Sequence, residues 1–248
     1  MTTLRIGRRA LLLSALLLMP RLANAKPLGP GSVRIAKQTV RLQKTKGEAV
    51  IHYPTVEGSR NEPLRRRIEE AVGLKAGTEM TLEEWKIDCE TGCWLYEIDY
   101  EVKHNRNSIL NLVYTVSGVG AYPDSFSKSL VVDLRTGARL TAADLFKRSS
   151  LSALATRLNT DLNTEVERTR RKWGADGEGM EEELREARFD AGKLDDFTID
   201  ERGITFHYDF GFPHVAKALE PNGYYRLSWK ELKPYIDSQG PLRVFLHL

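Results

Sequence analysis

His207 and Asp209 are separated by one residue, and His214 follows in the adjoining loop Phe210-Gly211-Phe212-Pro213-His214. On a β-strand, residues i and i+2 share a face. Two imidazoles and a carboxylate could therefore converge on zinc. The same groups could supply a base for hydrolysis of an ester or glycosidic bond. No fourth ligand and no water-activating base is marked elsewhere in the sequence. The motifs Gly-x-Ser-x-Gly and His-Glu-x-x-His and the phosphate-binding P-loop do not occur. His207, Asp209 and His214 serve equally well as ordinary polar positions of a strand and loop. The sequence thus assigns no catalytic residue, no metal and no cofactor.

The two cysteines are Cys89 and Cys93, in Cys89-Glu90-Thr91-Gly92-Cys93. A fully extended chain would hold their Cα atoms roughly 13 Å apart, beyond the reach of a disulfide. A bond needs a turn, and Glu90-Thr91-Gly92 supplies one, with Gly92 in the left-handed position of a hairpin loop. The flanks Glu84–Asp88 and Trp94–Ile98 then read as paired strands. The spacing is not that of a Cys-x-x-Cys redox motif. A loop this small stabilises by about 2 kcal/mol in the chain-entropy account, so it fixes a local turn rather than the fold.

Binding chemistry has three further candidates. Trp94, Tyr96, Ile98, Tyr100 and Val102 recur at every second position and share one strand face, and the aromatics Trp94, Tyr96 and Tyr100 read as either a stacking platform for sugar rings or part of the core face of a sheet. The loop Gly118-Val119-Gly120-Ala121-Tyr122-Pro123-Asp124-Ser125 has the composition of a shaped, exposed turn, and binding residues concentrate in such loops. Its candidate ligand residues are Gly118, Gly120, Tyr122, Pro123 and Asp124, joined by Phe212 and His214 of the second loop. Finally, residues 176–201 hold eleven acids against Arg185, Arg188 and Lys193. That block could steer a cationic partner or be a solvated connector.

The elements that must position these residues follow from periodicity and caps. Val33–Leu42 and Ala49–Tyr53 read as strands about the turn Lys44–Gly47. Asn61 and Pro63 open a short helix with Leu64, Ile68, Ala71 and Val72 on one face. Ser108–Ser117 and Ser129–Leu134 read as strands. Leu151–Trp173 reads as a longer helix, with Leu151, Leu154, Ala155, Leu158, Leu162 and Val166 at three/four spacing. Phe197–Asp200, Ile204–Phe210 and Tyr224–Leu227 follow as strands. Ser228-x-x-Glu231 is a capping box for a helix through Ile236. Leu242–Leu248 can form a last strand. Hairpins with interspersed helices give an α+β fold with a largely antiparallel sheet.

The first 25 residues have a basic start (Arg5, Arg8, Arg9), a ten-residue apolar run and a small-x-small ending at Ala23-Asn24-Ala25. This is the pattern of a secretory signal peptide cleaved after Ala25, by either the twin-arginine or the Sec route. The expected location is the periplasm or the cell exterior. Roughly 20 apolar residues are needed to span a bilayer, so no membrane span is expected in the mature chain. The leader holds four arginines and no acid, leaving 33 basic and 34 acidic residues, a net charge of −1. The sequence pI of about 8.8 therefore belongs to the precursor and does not point to nucleic acid. The mature chain divides into an N-terminal α+β part (26–150), a helix plus acidic connector (151–194) and a C-terminal part (195–248).

Four segments in order resemble the extracytoplasmic module of RsiV-type anti-sigma factors, a module also found beside polysaccharide deacetylase domains. They are Ala49–Val56 with the Asn61 helix, Gly118–Pro123, Val132–Leu140 ahead of Asp144-Leu145-Phe146, and Phe197–Ile236. The family's Gly-Ala-His-Pro turn reads Gly120-Ala121-Tyr122-Pro123 here. Its Tyr-rich, Ala-Gly-containing C-terminal loop reads Phe210-Gly211-Phe212-Pro213-His214-Val215-Ala216. The chain has neither the membrane helix and sigma-binding part of those sensors nor the metal-binding motifs of a deacetylase. The resemblance implies a free-standing, exported, non-catalytic binding module that contacts a lysozyme-like muramidase or peptidoglycan. The alternatives are a cell-wall glycan hydrolase or esterase using His207, Asp209 and His214, and a structural protein of envelope assembly.

Overall fold

A computed structural model describes residues 31–57, 61–173 and 184–247. The expected leader Met1–Ala25 with its expected cleavage site, and residues 176–183 of the acidic block, lie outside the described residues. The chain opens with the hairpin of β1 (Arg34–Gln43) and β2 (Glu48–Glu57), closed by a bond from Lys44 N to Gly47 O of 3.0 Å. Three helices follow: α1 (Glu62–Val72), α2 (Leu74–Thr78) and α3 (Leu82–Thr91). They carry the chain over one sheet face to β3 (Leu95–Arg106), which lies parallel to β2. A meander through β4 (Ile109–Val119) and β5 (Pro123–Asp133) completes a five-stranded sheet in the order β1-β2-β3-β4-β5. After α4 (Ala142–Leu145) and α5 (Leu151–Trp173) comes a second, antiparallel sheet of β6 (Phe197–Ile199), β7 (Gly203–His207) and β8 (Tyr224–Ser228). The capping box Ser228/Glu231 opens α6 (Trp229–Leu232), and a 3-10 segment, Pro241–His247, ends the described chain. The fold is α+β with mostly antiparallel strands, as expected.

Helices cover one face of the large sheet. Ile68 and Val72 of α1 pack on Leu110, Leu112 and Val132, while Trp85 and Cys89 of α3 pack on Ile51, Leu95, Ile98, Tyr114 and Val116. The Tyr114 hydroxyl donates to Val72 O at 2.8 Å, tying β4 to the end of α1. On the other face, α5 lays Leu154, Leu158, Leu162 and Val166 against Phe197, Ile199, Ile204, Phe206 and Leu227 of the small sheet, in one cluster that includes Ile109 and Val131. The fully buried Asn111 of β4 joins the sheets: its Oδ1 accepts Ile199 N–H at 2.7 Å, and its Nδ2 donates to Ser129 Oγ at 2.9 Å and Leu130 O at 3.1 Å.

Three expectations about elements change. Cys89 and Cys93 do form a disulfide, with Cα atoms 4.3 Å apart. It closes the C-terminus of α3, however, and not a hairpin tip. Glu84–Asp88 is helical because Thr81 and Glu84 form a capping box, with Glu84 N–H on Thr81 Oγ1 at 3.2 Å and Thr81 N–H on Glu84 Oε2 at 2.6 Å. Trp85 and Cys89, four apart, then share the buried face, and Ile87 is left exposed. Gly92 is left-handed (φ 108°), but as the cap that ends this helix. The aromatic stripe is also broken. A register shift between Leu95 and Glu97 turns Leu95 and Ile98 inward and Tyr96 outward, while Trp94 and Tyr100 are half-buried. Leu242–Leu248 is not a strand: Leu242 and Phe245, three apart, face inward in the 3-10 segment, and Phe245 stacks on Trp229 at 3.7 Å.

Candidate functional site

The small sheet covers only part of the large sheet's second face. Towards the β4–β5 turn, that face carries Thr115 and Ser117 opposite Ser127 and Ser125, with Thr115, Ser125 and Ser127 exposed. The outer face of the small sheet stands beside it, bearing Thr198, Thr205, His207 and Tyr224. The loop after β7 completes a wall with Tyr208, Asp209, Lys217 and Glu220. Three adjoining hollows between floor and wall form one groove along β5. One end holds Tyr96, Ser117, Val119, Pro123 and Asp124. The middle holds Ser127, Thr198, Thr205, His207 and Tyr224. The other end holds Ser129, Lys128, Arg139, Lys193 and Asp196. From Pro123 to Ser129 the groove runs roughly 20 Å, at about 3.3 Å per strand residue.

Aromatic rings concentrate here. The exposed aromatics among the described residues are Tyr96 (63%), Tyr122 (64%), Phe126 (47%) and Tyr224 (57%). Tyr96 and Tyr224 line the groove, and Tyr122 sits in the turn that enters it just before Pro123. Phe126, opposite the buried Val116, turns its ring to the helix-covered face, 6.5 Å from that of Trp94. An aromatic ring left in water by the fold marks a place where a partner can cover it.

His207 is fixed from both sides. Its Nδ1 lies 3.0 Å from Asp196 Oδ1 and its Nε2 lies 3.2 Å from Thr198 Oγ1. Its ring meets Tyr224 edge-on at 5.1 Å. Hydroxyl, imidazole and carboxylate in line have the outline of a nucleophile, a base and its orienter. Thr198 sits mid-strand opposite Thr205, lying against the sheet and not raised on a strained turn. The arrangement holds a donor-acceptor ring in place on the groove wall and leaves no ring nitrogen turned to a metal.

The other expected site residues scatter. β7 ends at His207, so Asp209 does not continue its face. Asp209 is exposed, accepts Gly211 N–H at 2.8 Å and lies 3.9 Å from Lys217 Nζ. His214 opens a 3-10 turn, and its side chain lies outside the described residues. Phe212 is buried against Trp173, with ring centroids 5.9 Å apart, so the core holds it. Gly118 lies within β4, where an added Cβ would come within 1.9 Å of the Trp94 ring. Gly120 is in the turn, with its N–H on Tyr122 O at 3.2 Å. Pro123 and Asp124 already belong to β5, and Asp124 Oδ1 accepts Ser125 N–H at 2.8 Å.

Several residues that hold the site carry no motif. Glu165 of α5 accepts Asn222 N–H at 2.8 Å and the Tyr225 hydroxyl at 2.6 Å, anchoring the groove loop to the helix. Burial, and then the Glu165 carboxylate, push the Tyr225 hydroxyl's pKa upward. Glu220 accepts Lys217 Nζ at 2.9 Å and Phe212 N–H at 3.2 Å, and the first of these bonds raises the Lys217 ammonium's pKa despite partial burial. The described acids of the 176–201 block have internal work as well. Asp190 caps a 3-10 turn, Asp195 accepts Ala142 N–H at 2.7 Å, Asp200 pairs with Arg226 and Glu201 with Arg106.

No helix among the described residues is long and apolar enough to cross a membrane. No protein-family model matches the chain. No curated protein matches it either. Among solved structures, a member of the DUF3298 family from Bacteroides fragilis is similar, with a TM-score of 0.55 and 16% identity over 87% of this chain and 98% of that one. A DUF3298 family protein from Pseudomonas aeruginosa is similar with a TM-score of 0.51 and 11% identity, over 84% of this chain and 95% of that one. At these identities the likeness is one of fold.

Proposed function

We propose that the groove binds an extended cell-wall glycan of the peptidoglycan type, and that the chain is an exported, non-catalytic binding module. The observation that carries the reading is that three of the four exposed aromatic rings, Tyr96, Tyr224 and, in the entering turn, Tyr122, fall along one groove. The C–H faces of pyranose rings are apolar and weakly positive, and they suit the negative face of an aromatic ring. The hydroxyls of Ser117, Ser125, Ser127 and Thr205 suit the hydroxyls and amides of such a chain. The RsiV-type resemblance and the leader support an envelope setting.

The test is co-sedimentation with purified peptidoglycan, followed by titration calorimetry with soluble muropeptides. Tyr96→Ala and Tyr224→Ala are each expected to cost about 1–2 kcal/mol, roughly tenfold in Kd. Glycan binding unchanged in the double variant would remove the groove from the reading. Saturable binding of lysozyme without glycan binding would make the occupant a muramidase, as the resemblance implies. Release of soluble fragments that is lost in His207→Ala would replace the non-catalytic reading with the hydrolase.

A further inference from the structure

Away from the groove wall, the exposed face of the large sheet brings together His52 of β2 with Glu97 and Asp99 of β3. Parallel pairing sets Val50 beside Glu97 and Ile51 beside Ile98, and carrying this register one step on places His52 beside Asp99. One ligand atom from each of the three lies within 4.8 Å of the other two. His52 Nδ1 is engaged by Thr39 Oγ1 of β1 at 2.8 Å, which leaves Nε2 facing Glu97 Oε1 at 3.8 Å. With the Thr39 hydroxyl accepting from Nδ1–H, Nε2 is the ring nitrogen open to a metal. Asp99 Oδ1 takes Lys37 Nζ at 2.6 Å and Tyr100 N–H at 2.7 Å, so Oδ2 remains as a ligand oxygen.

We infer that His52, Glu97 and Asp99 form a three-ligand site for a divalent transition metal, Zn2+ foremost. His nitrogen and Asp or Glu oxygen are both zinc donors, and three protein ligands leave a fourth position for water or a ligand. A tetrahedral ion with bonds near 2.0–2.2 Å needs donor atoms roughly 3.3–3.6 Å apart. The carboxylates stand on the exposed face and close that difference by side-chain rotation. Lys37 stays on Oδ1, so the ion would take Oδ2. His207, by contrast, has both ring nitrogens engaged by Asp196 and Thr198.

The experiment is equilibrium dialysis and calorimetry of the untagged chain with Zn2+ alone, backed by the visible absorption of Co2+ in its place. One equivalent per chain is expected. His52→Ala and the near-isosteric Glu97→Gln should each weaken binding at least about tenfold, and Thr39→Val should weaken it by roughly tenfold through loss of ring orientation. Nuclear magnetic resonance of the His52 ring should report the ion directly in the unaltered chain. The inference is overturned if Zn2+ does not bind saturably, if His52→Ala and Glu97→Gln bind as the unaltered chain does, or if His207→Ala abolishes binding instead.

Discussion

Replacing Asn111 tests how the groove is held together. Its carboxamide is fully buried, and Oδ1 is the acceptor for the buried Ile199 N–H at 2.7 Å. Asn111→Leu keeps the volume and leaves that N–H without a partner, a cost of about 1–3 kcal/mol. Leu130 O also loses the Nδ2 donor at 3.1 Å, but β-sheet carbonyls have a second lone pair, so this adds less. The expected loss is about 2–3 kcal/mol. At about 2–4 °C per kcal/mol for a chain of this size, Tm should fall by roughly 4–12 °C. The assay is urea unfolding for the midpoint, with hydrogen exchange at the Ile199 amide. In the unaltered chain that amide should exchange only on global unfolding. In Asn111→Leu it should exchange through local opening of β6, the strand that carries His207's partner Thr198 and directly follows Asp196. If the variant keeps its midpoint within about 0.5 kcal/mol and Ile199 stays protected, Asn111 does not bear the junction of the sheets.

Other outcomes follow from the same geometry. Cys89→Ser with Cys93→Ser, or reduction of the bond, should lower stability by about 2 kcal/mol without unfolding the chain, as read by thermal melts with and without reductant. Gly118→Ala should cost about 1–3 kcal/mol and shift tryptophan fluorescence, because its Cβ would meet the Trp94 ring; an unchanged spectrum would mean that the ring has room to move. Alkaline stability should fall as pH rises from about 10. Burial raises the folded-state pKa of Tyr100 to about 12, and those of Tyr114 and Tyr225 also rise. Their contribution is whole below the unfolded value and is lost as pH rises through the folded one. On the acid side, Arg135 outweighs burial and holds Asp133 below the usual carboxylate range. Stability should therefore fall as pH drops below about 4 and through the folded value, and Asp133→Asn should flatten that limb.

Strong caps and long periods were legible in the sequence. The helix Leu151–Trp173, the Asn61 cap and the Ser228/Glu231 box stand where periodicity puts them. The strand reading of residues 84–88 failed because Trp85 and Ile87 alternate over too short a window. The competing signal, Thr81-x-x-Glu84, was present and is the one the backbone obeys. The stripe from Trp94 failed for another reason: a bulge shifts the face without leaving a mark in residue type. The groove was half-legible. The Gly118–Ser125 segment does reach it, yet Tyr224 and the paired Asp196 and Thr198 are gathered only by packing of one sheet on another. The His52, Glu97 and Asp99 cluster arises from parallel pairing of strands about 45 residues apart in sequence, a contact that no local pattern announces.

The parallel pairing of β2 with β3 has a consequence for how the chain assembles. The β1–β2 hairpin and the β3–β4–β5 meander each join neighbours in sequence and can form through short loops. The seam between them requires α1, α2 and α3 to be laid across the face first, so it carries the highest contact order in the large sheet. Folding should then proceed as two fast local pieces and one slower docking event, with the three helices as the tether. The Cys89–Cys93 bond lies at the end of that tether, four residues apart in sequence, so it can close before the seam forms. A chain folding under oxidising conditions would thus have the exit of α3 into β3 covalently fixed while its central seam is still open.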